Sequence, residues 1–202
     1  RYGRVDQIRV KSDRERVHNG SMRHLGFIMQ ATYRVWSGTP VVHLYGRLQD
    51  GRSFLVRDAT QRPGFYVRAT DLERARALGA RPREHPFRSM QDERRARVEV
   101  GIPADVPALR DALHGAGVPT FEADVRFAIG YLIDRGIQGG CCIEGTPLRG
   151  QGVDLVFDLP ALAPAEVRIA PRVLSFDIET DPAGERLLAI ALYGLGLDEV
   201  LI

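Results

Sequence analysis

Between residues 25 and 68 four apolar, β-branched runs follow one another: "LGFIMQATYRV", "VVHLYGRL", "RSFLVRD" and "GFYVR". The turn signals Ser-Gly-Thr-Pro and Gln-Asp-Gly separate them, and alternation within each run gives a strand one face for a core and one for solvent. This pattern predicts a β meander, and whatever follows must cover its apolar side.

The next segments supply that cover. Thr70 with Glu73 has capping-box spacing ahead of "DLERARAL", and Gly79 stops the helix. A strand "RARVEVGI" then leads to Pro103. In "ADVPALRDALHGAG", Asp105 stands where it can cap, Pro107 sits where a missing N–H is harmless, and Val106, Leu109, Ala112 and Leu113 form one apolar face. "PTFEADV" reads as a strand and "RFAIGYLIDRG" as a second amphipathic helix, with "CCIEG" and "VDLVFDLP" as further strands. The prolines of "ALAPAEVRIAP" give linker character before "VLSFDI", and "RLLAIALYG" and "EVLI" add two more strands. The fold class predicted is α+β: a β-rich mixed domain with a few helices over 22–168, then a second sheet opening over 172–202. Residues 1–21 are polar and arginine-rich without a sustained period, and read as a leader or tag outside the fold, disordered by composition.

Composition narrows the function classes. The chain is 44% hydrophobic and 27% charged with a formal net charge of +2, which neither requires nor excludes a nucleic-acid partner. No run reaches the ~18 apolar residues of a membrane span, and the start is too charged for a secretory signal; a cytoplasmic protein is expected. Lys11 is the one lysine, so no Gly-Lys-Ser/Thr phosphate loop exists. The cysteines, Cys141 and Cys142, are neighbours on a strand, where side chains diverge, and read as reduced core residues. His18, His24, His43, His85 and His114 are scattered, with no second pair at zinc-ligand spacing.

The stretch "RVLSFDIETD" is the chemically pointed one. Residues two apart on a strand share a face, so Asp177 and Glu179 project together while Ile178 points to the opposite layer of what reads as a buried strand. Two carboxylates held close repel unless a cation neutralises them, and hard oxygen ligands suit Mg²⁺ or Mn²⁺. Two such ions can activate an attacking water and stabilise a leaving oxygen. By itself, Asp-x-Glu reads first as two solvated acids at a strand end, with Asp181 opening a turn toward Pro182 and Gly184.

Three segments in order, "DVPALRDAL", "FEADVRFAIGYLIDRGI" and "RVLSFDIET", resemble the family B DNA polymerases, of the archaeal replicative and bacterial DNA polymerase II kind. "YLIDRGI" and "SFDIET" are the specific pieces, and the likeness covers most of residues 22–202. It implies an N-terminal polymerase domain over 22–168 and the truncated start of an RNase H-like 3′→5′ exonuclease domain over 172–202. It implies that Asp177 and Glu179 are catalytic metal ligands of a two-metal proofreading site, using Mg²⁺ or Mn²⁺. The implied partners are DNA, as primer-template and single-stranded 3′ end, and the rest of a polymerase chain in the nucleoid; a sliding clamp is not readable.

Within that resemblance the remaining exonuclease aspartates and the polymerase motifs would lie beyond residue 202. Asp198 follows too closely to take one of those roles. The expectation is a fragment without nuclease or polymerase activity of its own. In archaeal relatives this domain senses template uracil; here Arg94 and Arg95 precede "VEVGIPADVP" where small apolar lining would be needed, and they read as a solvated turn. The alternative from another class is a non-catalytic nucleic-acid-binding module on the same scaffold. "GLG" at 194–196 lacks the third glycine and following helix of a dinucleotide loop.

Overall fold

The computed structural model describes residues 22–202; the leader predicted over 1–21 lies outside the described residues. The chain divides into two compact units, one reaching Arg168 and one spanning Ile169–Ile202.

The first unit carries two sheets. Strands β1 (Arg23–Trp36), β2 (Thr39–Leu48) and β3 (Ser53–Asp58) form the meander. β4 (Gly64–Arg68) leaves it and joins a second sheet, so the fourth run is not part of the meander the sequence suggested. Helix α1 (Leu72–Ala77), β5 (Pro82–Arg88), β6 (Arg94–Glu99), helix α2 (Val106–Gly115) and β7 (Thr120–Phe121) follow. Then come helix α3 (Phe127–Asp134), β8 (Gly140–Glu144), β9 (Leu148–Arg149), β10 (Leu155–Asp158) and β11 (Ala161–Pro164).

The larger sheet has the order β11-β8-β1-β2-β3-β10-β9, antiparallel except for β10 against β3. Its core joins Val42, Leu44, Phe54, Val56, Ile143 and Phe157 to Phe127 and Tyr131 of α3. Gly46 is required here: a Cβ would stand 2.2 Å from the Phe27 carbonyl oxygen and 2.5 Å from the Phe54 ring. The Tyr131 hydroxyl donates to Asp58, which is almost fully buried, and the Arg135 guanidinium lies 3.5 Å over the Tyr131 ring. Burial, then the Asp58 charge, push the Tyr131 phenol well above its ordinary pKa. Cys141 is a free thiol in this core and Cys142 a buried free thiol next to it on β8; burial pushes Cys141 up to about 12. His43 is buried beside Trp36 with neither ring nitrogen hydrogen-bonded; burial, then Arg34 and Arg57, lower its pKa to about 4.

The smaller sheet has the order β5-β6-β4-β7, and the chain visits it as β4-α1-β5-β6-α2-β7. Phe65, Val67, Ala96 and Val98 face the helices and pack with Ala75, Leu113 and Val118.

Several local expectations are corrected. Thr70 lies within a 3₁₀ turn, Ala69–Asp71, and no side-chain cap bond forms at α1, so the capping box is absent; Gly79 at φ 82° does end the turn. Asp105 does not cap α2: its Oδ2 accepts the Ile102 N–H at 3.1 Å, bracing the preceding turn. On α2, Leu113 is buried while Ala112 is exposed. Arg95 is no solvated turn residue: β6 begins at Arg94, and the buried Arg95 guanidinium lies 4.0 Å over the Phe121 ring. Ala161–Pro164, read as linker, pairs with β8 as an edge strand, a position that tolerates proline.

The second unit is an antiparallel sheet of β12 (Ser175–Thr180), β13 (Leu187–Gly194) and β14 (Leu197–Leu201) in that order.

Candidate carboxylate site on β12

Pairing fixes which side chains share a face. Asp177 stands opposite Ala191, Ile178 opposite Ile190 and Glu179 opposite Ala189. Because side chains alternate along a strand, Asp177 and Glu179 occupy one face, flanked on β13 by the two methyl side chains, with Phe176 and Ile178 on the other. Alanines at alternate positions of "LLAIALYG" leave room above the carboxylates; that spacing was legible in the sequence as a strand but not as clearance around an acidic pair.

Every residue of β12 is exposed, Phe176 by 66% and Ile178 by 49% of their surface. The strand is therefore not buried as its apolar run suggested. Asp177 Oδ1 accepts the Ile178 N–H at 3.0 Å. Among the described residues no arginine forms an ion pair with Asp177 or Glu179, so both carboxylates keep coordination capacity. A register shift falls between Glu179 and Thr180 and ends the regular ladder just past the pair.

The neighbouring acids do different work. Asp181 Oδ1 accepts the N–H groups of Glu185 (2.8 Å) and Arg186 (3.1 Å), and the Gly184 N–H reaches the Asp181 carbonyl, so Asp181 builds the β12–β13 turn as read from sequence. Asp198 pairs with Tyr193, which stands opposite Ser175, so it lies on the carboxylate face but two strand spacings across and two residues along from Asp177, about 12 Å away. That separation keeps it off any ion held by the pair. Among the described residues no cluster of three or more His, Cys, Asp or Glu is arranged for a metal. Two carboxylates with open flanks nonetheless fit the protein's share of a Mg²⁺ or Mn²⁺ site, since Mg²⁺ is commonly held by one or two carboxylates plus water and substrate phosphate.

The first unit has a cavity of about 340 Å³ lined by Ala31, Tyr33, Pro103, Val106, Pro107 and Phe127 among others. Arg94 and Arg95 do not line it. No helix among the described residues is long and apolar enough to cross a membrane.

No family model matches the chain. It is 28% identical over 139 residues to a DNA polymerase of Pyrococcus horikoshii, covering 61% of this chain and 10% of that protein. It is 27% identical over 205 aligned positions to DNA polymerase 2 of Aeropyrum pernix, covering 84% of this chain and 25% of the relative. The solved structure of a family B DNA polymerase from Pyrobaculum calidifontis superposes with a TM-score of 0.68 at 28% identity, over 89% of this chain and 26% of that one. The chain thus spans between a tenth and about a quarter of the length of the proteins it matches.

Proposed function

Since the chain is related to the family B DNA polymerases along most of its length, we propose that it is part of a DNA-directed DNA polymerase with 3′→5′ proofreading exonuclease activity. In this reading Asp177 and Glu179 are carboxylate ligands of the exonuclease site. The observation that carries it is the display of both acids on one open strand face, flanked by Ala189 and Ala191 and free of arginine partners.

The chemistry follows from what these residues can do. Bound divalent cations would supply charge to a phosphodiester and acidity to a bound water. The chain's own part is to hold two hard oxygens side by side on a hydrogen-bonded strand, so that little ordering is needed when an ion arrives. The alanine methyls leave the approach open to a strand's 3′ end. DNA is the partner, and the first unit contacts template or braces the enzyme.

Two carboxylates alone form an incomplete metal site, so the pair by itself supports no nuclease activity. Incubation with Mn²⁺ and end-labelled single-stranded DNA is expected to release no mononucleotides. Release that vanishes in Asp177→Ala would overturn the claim of inactivity. The ligand assignment is tested separately by Mn²⁺-induced broadening of amide resonances. Broadening centred on 176–180 and lost in Asp177→Asn/Glu179→Gln supports it, and broadening unchanged by that pair of substitutions refutes it.

A further inference from the structure

Past Glu179 the ladder between β12 and β13 changes step and then continues. Glu179 faces Ala189 and Thr180 faces Leu187, so Leu188 is the extra residue of a bulge in β13, a device that re-aims the side chains beside it. The Asp181 N–H then donates to the Arg186 carbonyl at 3.0 Å, which sets Arg186 opposite Asp181. Alternation along β12 puts residue 181 on the face of 177 and 179, so Arg186 shares that face as well. Of the two arginines in the second unit, Arg172 and Arg186, it is the one placed beside the acidic pair. Diagonal neighbours on paired strands stand about 7–8 Å apart, a gap that an arginine side chain spans, so the Arg186 guanidinium can reach the space beside Glu179. On β13 the residues next to it on this face are Ala189 and Ala191, and nothing larger than a methyl group separates it from the flank of the pair.

The backbone at Arg186 is braced while its side chain is uncommitted. Asp181 Oδ1 accepts the N–H groups of both Glu185 and Arg186, and the Gly184 N–H closes on the Asp181 carbonyl. The Arg186 side chain is exposed and makes no hydrogen bond or ion pair among the described residues, whether with Asp181, Glu185 or Glu179. An arginine that stands near three carboxylates and binds none of them is not their counter-charge. It leaves a free cationic fork at one end of the face that carries Asp177 and Glu179.

That arrangement suits a phosphodiester. With both carboxylates committed to divalent ions, the guanidinium offers two parallel N–H groups, in a fixed fork, to the non-bridging oxygens of a phosphate approaching over the alanine methyls. Cationic clamps of this kind stabilise charge that develops on phosphate oxygens during transfer. We propose that Arg186 is a phosphate-binding residue of the carboxylate site, contacting the non-bridging oxygens of the phosphodiester presented to Asp177 and Glu179. The proposal rests on the reading of those two acids as ion ligands and adds to it a side chain that grips the substrate.

The probe is thymidylyl-(3′→5′)-thymidine, which carries a single phosphodiester, titrated with Mg²⁺ present into the whole isotope-labelled 202-residue chain and followed by the amide shifts of 177–187. Arg186→Gln is expected to weaken this binding about tenfold, and Arg186→Lys about threefold, because lysine keeps the charge without the fork. Mn²⁺ broadening of 176–180 should be the same in both variants as in the wild type. Arg172→Gln removes another exposed charge of the second unit and serves as control, leaving affinity unchanged. Thymidine, which has no phosphate, should not distinguish the variants. Because Arg186 is exposed, both of its variants should keep the wild-type spectrum outside the turn.

Dinucleotide binding that Arg186→Gln leaves intact, or a wild-type chain that shows none at these residues, overturns the phosphate contact and leaves the Mn²⁺ result standing by itself. Mn²⁺ affinity raised about tenfold in Arg186→Gln would make the arginine a counter-charge of the acids and likewise overturn it. Wild-type Mn²⁺ broadening that Asp177→Asn/Glu179→Gln does not change overturns the ligand reading, and the proposal with it.

Discussion

The two units use similar strands to opposite ends. In the first, Phe54, Val56, Leu44, Phe65 and Val98 are fully buried, because each sheet has a helical layer to close on: α3 over β1 and β2, α1 and α2 over β4 and β6. In the second, Phe176, Tyr193 and Val200 expose 66%, 69% and 65% of their surface on strands just as regularly paired. Pairing sets which residues share a face; only a second layer converts an apolar face into a core. The same openness that leaves β12 poorly supported is what leaves Asp177 and Glu179 approachable.

Substitutions sharpen this contrast, starting with the largest effect. Phe54→Ala removes a ring packed against Gly46 and should cost about 3–5 kcal/mol, read by urea unfolding through Trp36, the single tryptophan, in the same sheet. A loss under about 1 kcal/mol would mean that the first core is not closed.

Acid comes next. His43 stays neutral in the folded chain down to about pH 4 but takes up a proton near 6.5 when unfolded, so its contribution is intact above 6.5 and is lost as the pH falls toward 4. About 3 kcal/mol should disappear across that window, and His43→Leu should flatten the profile. Retention of the full acid sensitivity in that variant would assign it elsewhere.

Ile178→Ala, on the open sheet, should change stability by less than about 1 kcal/mol, since half the side chain is already in water. A cost like that of Phe54→Ala would mean that β12 is covered. Smallest of all, Asp177→Asn/Glu179→Gln should shift stability by no more than about 0.5 kcal/mol while abolishing Mn²⁺ broadening; a large stability change would make the acids structural.

The meander, the two longer helices and the paired acids were legible because each depends on periodicity within a few residues. β5 was not: "PREHPFR" carries two prolines and four charged or imidazole side chains, and it is a strand only because β6 offers it an edge. β4 read as one more turn of the meander because departure to another sheet leaves no local mark. Arg95 looked solvated because nothing nearby in sequence announces Phe121, whose ring lies beneath it. The capping box expected at Thr70 fails for a similar cause: its spacing is right, but the chain enters α1 through a 3₁₀ turn that places Thr70 inside the helical path. On β12 the shared face of Asp177 and Glu179 followed from alternation, whereas the exposure of the whole strand depends on what lies above and below it.

Native-state hydrogen exchange tests the central contrast most directly. Amides of β12–β14 should exchange at least about a hundredfold faster than those of β2 and β3, since no packed layer opposes their opening. Equal protection in the two sets would contradict the account.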